Sequence, residues 1–590
     1  MLGYVVDETI RQQINQKDQN YWDAYLQEIN GLLGASGNPV SLKDLENPDV
    51  IGKLNVLIIG WQSGEKISDN ALRILDQWVS QGGILIGFGL QGLDHVFGIK
   101  TTSQLRQTPD DYTILAHCDV RDHALTRELH DMNFLEQKLL ILSDVRLVDL
   151  DGAFELSRLF ETTGRTINRP AISWHACGKG FAGYFAFDVA KTVWLLHQGR
   201  PLVGDAIKGN RYPRGADLSV VATNSRKVAY ADELCFLIQN MIAQAPLPFI
   251  YQIPPEGDQI PDAILYYGGD EYAGPVEQSL RASDWMKQKG LGYHINTLHN
   301  HPMTEAEKKH ILDNGHELSL YYGLHDEDDF TMKEEYYSEL YDAYVKKFGI
   351  RPMTTVNKWL RWIGWSEPAK WMLKAGGKAD NSFHSLPGAF EHPFANTSYF
   401  GFGCGTGYPF YFYDDYRGQN QKIEFMEQPI ACYEVGHRGS IRDYETRAEF
   451  DVHLPVELAI KHHMVMNMFY HPAYIAYFPN CRRAIEEILR YIKDRGAKVL
   501  HWGNDAVTTW WLARSRSSVQ NVNQDANTLT FDTACDYPNG MIVKLLLKKR
   551  MFRVAWGNFP ATCQIKKEFA GDWLYIVVPA GKHRFTIVFE

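Results

Sequence analysis

The chain has 590 residues, 45% apolar and 22% charged, a composition that excludes a disordered or fibrous chain. Sixty Lys and Arg against 71 Asp and Glu give a net charge of −11, which argues against nucleic acid or an anionic membrane as the main partner. No apolar run reaches the ~18–20 residues of a membrane span, and eight cysteines without a C-x-x-C pair exclude a zinc ribbon and fit a reducing compartment. The N-terminus shows no basic and apolar leader, so a cytoplasmic location is expected.

Residues 1–205 read as an α/β domain. Tyr21 to Leu33 is helical, LNVLIIG (54–60) is a buried strand, and Ser68 caps a helix with Ala71, Ile74, Leu75 and Val79 at helical spacing. Gly82-Gly83 ends it, ILIGFG follows as a strand, and Gly178-Lys179-Gly180 leads into FAGYFAFD, another strand. VLIIGW…ALRILDQWVSQGGILIGFG and CGKGFAGYFAFD resemble the class I glutamine-amidotransferase-like domain, a Rossmann-type fold, in the form that accompanies carbohydrate enzymes. No cysteine stands on a glycine-flanked strand-to-helix elbow, so the resemblance implies a non-catalytic domain, and a homo-oligomer formed through it.

Residues 206–261 read as a connector. It has a short helix, Ala231 to Ala243, and the Pro-rich APLPFIYQIPPEGDQIP, which favours extended chain. Residues 262–515 alternate strand and helix: AILYY, LGYHINTL, HELSLYY, MTTVN, KAD, MVMNMFY and KVL are the strands, with a Thr304/Glu307 capping box and a helix capped by Asn480 between them. This order predicts a parallel (β/α) barrel. Residues 516–590 predict a small antiparallel β domain.

In a βα barrel, polar residues at the C-terminal strand ends converge on one mouth. Here those ends carry Asp270 and Glu271, His325, Asn357 with Lys358 and Trp359, Asp380, His471, and His501 with Trp502. Trp359 and Trp362 divide between core and a stacking platform for a sugar ring. Arg417, in YPFYFYDDYRG, matches a polyhydroxyl or carboxylate-binding edge. His316 reads as a packed residue, and GFGCGTG lacks the Lys-Ser/Thr of a phosphate loop.

YYGGDEY, GHELSLYYGLH, KADNSF and MFYHP together resemble the polysaccharide deacetylase, or NodB-homology, family over about 250 residues. The resemblance implies a divalent metal, zinc or similar, held by Asp270 and His325. It also implies Asp270 or Glu271 as base, His471 as general acid, and a substrate contact for Tyr321, which stands where the family places its first metal-binding His. Three readings stay open: a metal completed by Glu271 or His471, metal-free chemistry, or sugar binding without turnover. The expected function is deacetylation of an acetylated sugar or oligosaccharide. The alternatives are a carbohydrate-binding protein on the same scaffold, or a carbohydrate-cleaving enzyme using Asp270, Glu271 and Asp380.

Overall fold

The computed structural model describes residues 1–129, 132–203, 213–221, 228–271, 274–323, 332–383, 400–435 and 441–590, the stretch 441–451 as backbone only. Near the N-terminus, Leu2–Val5, Asn38–Val40, Val56–Ile59, Ile84–Phe88 and Gly180–Phe185 form the parallel part of a nine-stranded sheet. Thr166–Cys177, Phe154–Glu161, Ala116–Cys118 and Leu139–Ile141 extend it antiparallel. The predicted helix spans Asp69–Gln81, with Ser68 Oγ accepting the Ala71 N–H at 3.3 Å and Gly82 at φ 127° ending it. At the end of Ile84–Phe88, Gly89 takes φ 57°, and a Cβ there would fall 2.2 Å from the Trp61 ring. This elbow therefore has no room for a nucleophile's side chain.

The connector is built into the fold. Its helix, Tyr230–Ile242, is buried along its whole length, and Phe249–Ile250 pairs with Met541–Leu546 of the C-terminal β region. That region holds two antiparallel sheets, one of four strands including Phe249–Ile250 and one of five.

Between them lies a parallel ring. Ala263–Glu271, His294–Thr297, Glu317–Tyr322, Thr354–Asn357, Ala379–Asp380 and Lys422–Glu427 pair in turn. Two residues beyond Glu427 the chain becomes Ile430–Tyr433, which pairs with Val465–Phe469, and that strand pairs back to Ala263–Glu271. The pairing thus returns to its start. Val499–Trp502 joins only the lower half of the first strand, Ala263–Tyr266. Helix Asn504–Arg516 then plugs the ring from below, with Thr508 Oγ1 2.7 Å from both Thr354 Oγ1 and Gln428 Nε2. Asn480 does not cap its helix: the helix Pro479–Asp494 begins one residue earlier, after Phe478.

Aromatic rings fill the seam between the N-terminal sheet and the ring of strands. Trp194 stacks on Tyr25 at 5.1 Å and on Trp365 at 5.5 Å, and Trp22 and Tyr413 meet its edges. Trp362 stacks on Phe412 at 5.4 Å and is fully buried. A buried aromatic removes ~150–250 Å² from water, so this seam is a core shared by both regions. The Arg514 guanidinium pins the same seam, donating to the carbonyls of Gly31, Leu32, Ile250 and Tyr251 at 2.8–3.0 Å. All eight cysteines are free, and no helix among the described residues is long and apolar enough to cross a membrane.

Candidate functional site

The first strand of the ring is buried over all nine residues, its last two included. Alternation turns Tyr266, Gly268 and Asp270 to one face and Tyr267, Gly269 and Glu271 to the other. A Cβ on Gly269 would fall 1.8 Å from the Tyr470 carbonyl oxygen. Glycine there lets the strand end approach the loop that carries His471. Asp270 Oδ1 accepts from Asn296 Nδ2 at 3.3 Å. Burial pushes the Asp270 carboxyl up to about 7, against the pull of the His471 charge.

His471 precedes helix Pro472–Tyr477, and its Nδ1 is hydrogen-bonded to the Glu434 carboxylate. Burial would lower its pKa, but Glu434 first, then Asp270 and Glu271, raise it to about 9. Glu434 was not foreseen in the sequence. It stands just past Ile430–Tyr433, 3% exposed and with φ 49°. Its signal is the apolar IAC run ending in Tyr-Glu, the same pattern that marks Asp270.

Glu271 faces away from Asp270 and is committed. Its Oε1 accepts from Gly274 N at 3.1 Å, and its Oε2 accepts from Ser279 Oγ at 3.2 Å and from Gln278 Nε2. It anchors the start of helix Val276–Gln288 and so corrects the expectation of a base at this position.

Of the remaining predicted residues, Tyr321 and Trp359 meet each other: the Trp359 N–H donates to the Tyr321 hydroxyl at 2.8 Å. Trp359 takes φ 61° and is 37% exposed, an indole presented to solvent. Lys358 is buried and packs over Gly323.

Several predicted contacts lie elsewhere. Trp362 belongs to the aromatic seam, its indole N–H donating to the Trp365 carbonyl at 2.9 Å. Asn357 accepts from the Tyr337 hydroxyl of the flanking helix Glu334–Phe348 at 2.8 Å, so its side chain faces that helix. Asp380 is fully buried, bonded to Ser382 at 2.8 and 2.9 Å and paired with Glu427. Burial raises both carboxyls of that pair, and its strand lies four ring positions from that of Asp270. Arg417 sits on a turn before Lys422–Glu427, at the opposite end of the ring, where Tyr416 N donates to Asn20 Oδ1 at 2.7 Å. Trp502 pairs with Tyr266, four residues below Asp270. His325 lies outside the described residues. His316 is a packed residue, 2.8 Å from the Ser283 carbonyl.

A zinc ion would need neutral imidazoles beside Asp270. Both neighbouring imidazoles are engaged, His471 with Glu434 and His294 with Glu317 and Asn296. His294, Glu317 and Asp505 form a three-ligand cluster, but the Glu317 carboxylate already accepts from the N–H groups of Asp505 and Ala506 at 2.8 and 2.9 Å. The described donors therefore do not fit the expected metal.

No family model and no curated protein matches the chain. Among solved structures it is similar to the carbohydrate deacetylase Agd3 at 8% identity, over 100% of this chain and 99% of that one, with a TM-score of 0.44. A polysaccharide deacetylase from Mycobacterium smegmatis aligns at 12% identity over 44% of this chain and 94% of that one, TM-score 0.30. The β-galactosidase from Bacillus circulans sp. alkalophilus aligns at 14% over 32% and 28%, TM-score 0.25.

Proposed function

We propose that the chain is a carbohydrate-active hydrolase that removes an acetyl group from an acetylated sugar, with Asp270 as general base and His471 as general acid. The observation that carries this is the pairing of two buried groups whose surroundings set them for opposite roles. A carboxyl raised to about 7 is a far stronger base than an ordinary one and is still ionised in part at neutral pH. An imidazole raised to about 9 holds its proton until a leaving group needs it.

Asp270 takes a proton from water as the oxygen adds to the acetyl carbonyl carbon. The tetrahedral adduct then expels the sugar amine or alkoxide, which takes the proton from Nε2 of His471, since Nδ1 is held by Glu434. The products are acetate and the deacetylated sugar, and the proton gained by Asp270 balances the one His471 gives. Trp359 offers a flat indole beside this pair, suited to the apolar face of a sugar ring. The glycoside-cleaving alternative loses its carboxylates, because Glu271 and Asp380 are both committed elsewhere.

The test is acetate release from acetylated oligosaccharides. It is expected from the unmodified chain and lost in Asp270→Asn and in His471→Gln. Glycan binding without acetate release by the unmodified chain would replace the hydrolase with a binding protein.

A further inference from the structure

Below Asp270 the ring encloses an ion cluster for which the proposed reaction has no direct use. His294 is fully buried. Its Nδ1 lies 2.9 Å from Glu317 Oε2 and 3.8 Å from Asp505 Oδ1, and its Nε2 lies 3.0 Å from Asn296 Oδ1. Both ring nitrogens thus face oxygen acceptors, and both must carry hydrogen. His294 is an imidazolium. The two carboxylates that balance it are themselves fixed. Glu317 accepts two backbone N–H groups at the start of helix Asn504–Arg516, and Asp505 Oδ1 accepts the Thr354 N–H at 2.9 Å.

An imidazolium donates at both nitrogens and accepts at neither. It therefore claims the carbonyl end of the Asn296 amide, which turns the amide NH₂ toward Asp270 Oδ1. A neutral His294 would let the amide flip and set an oxygen against the Asp270 carboxylate. Buried ion pairs contribute little dependable stability, and this one makes its contact toward the mouth through Asn296 alone among its printed partners.

We propose that His294 is a positioning residue for the reaction. Through Asn296 it fixes Asp270, giving Oδ1 a donor and leaving Oδ2 to work on water. This rests on Asp270 being the base, so the first measurement is one that needs no substrate. In the full chain labelled with 15N-histidine, the His294 signals, identified by their loss in His294→Asn or His294→Gln, are expected to show both nitrogens protonated at pH 7.5. A neutral tautomer overturns the proposal. So does one equivalent of zinc, taken up from a zinc-supplemented buffer, that is held by the unmodified chain and lost in either variant.

In acetate release, His294→Asn and Asn296→Leu are each expected to lower kcat about tenfold, the size of one lost charge-assisted hydrogen bond, with KM within about twofold. The double variant should be no slower than the slower single one, because both act along one path. Additive losses, or a loss confined to KM, overturn the proposal. Doubly protonated His294 in a chain that releases no acetate overturns the hydrolase reading and leaves the geometric claim standing.

Discussion

Replacing Asp270 by asparagine should stabilise the protein, and increasingly so as the pH rises. The carboxyl has an ordinary value of 3.8 and a value of about 7 in the folded chain, with burial as the main cause. The folded chain therefore binds this proton more tightly than the unfolded chain does. Stability falls as the pH climbs from 3.8 and levels off above about 7. At ~1.4 kcal/mol per unit, ionised Asp270 costs the native state about 2 kcal/mol at pH 5 and about 4 kcal/mol at pH 8. Asparagine keeps an oxygen for Asn296 and carries no charge, so Asp270→Asn should recover these amounts while abolishing acetate release. Hydrogen exchange of the strand Ala263–Glu271, with urea unfolding at pH 5 and pH 8, reads both ends of the range. A gain equal at the two pH values, or none at pH 8, would show that Asp270 is hydrated in the native state, and the argument for its role as a base would fall with it.

Glu434→Gln removes the carboxylate that lifts His471. That lift stabilises the fold below pH ~6.5 and fades as the pH rises through about 9, so the stability difference from the unmodified chain should be largest in acid and vanish in alkali. The alkaline limb of the acetate-release profile should move to lower pH. Arg514→Met leaves the carbonyls of Gly31, Leu32, Ile250 and Tyr251 without their donor. At ~1–3 kcal/mol for each unmade bond, thermal unfolding should show a loss of about 4 kcal/mol or more. Trp362→Ala should cost ~3–5 kcal/mol of stability with KM unchanged in the folded fraction. Trp359→Ala should instead raise KM with a stability change under ~1 kcal/mol.

Local signals in the sequence survive folding well. Ser68 and Gly82 bound their helix, and Thr304 with Glu307 makes the expected reciprocal cap, at 3.3 and 2.7 Å. The strand–helix alternation from Ala263 onward is the ring. Closure was not legible. The strand that completes it, Lys422–Glu427 running into Ile430–Tyr433, follows an aromatic stretch whose period suits a binding edge as well as a strand. For the same reason the aromatic surplus was assigned to the mouth. A tryptophan that stacks on sugar and one that stacks on Phe412 look alike in one dimension, and only the meeting of two regions far apart in the chain sends Trp362 and Trp365 to the seam.

The division of labour between Asp270 and Glu271 shows how near the sequence comes to the site. Neighbours on a strand point to opposite faces, so one of the two must enter the ring and the other must meet a helix. In a half-exposed strand the apolar residues would say which. A strand of a parallel barrel is apolar on both faces, and Ala263–Glu271 is buried at every position, so alternation gives the parity no sign. The sign comes from partners distant in sequence. Gln278 and Ser279 claim Glu271 on the helix side, and Asn296 claims Asp270 on the inside. The glutamate becomes an anchor and the aspartate is left facing His471. The chemistry therefore rests on the single carboxylate that the fold does not spend on holding itself together.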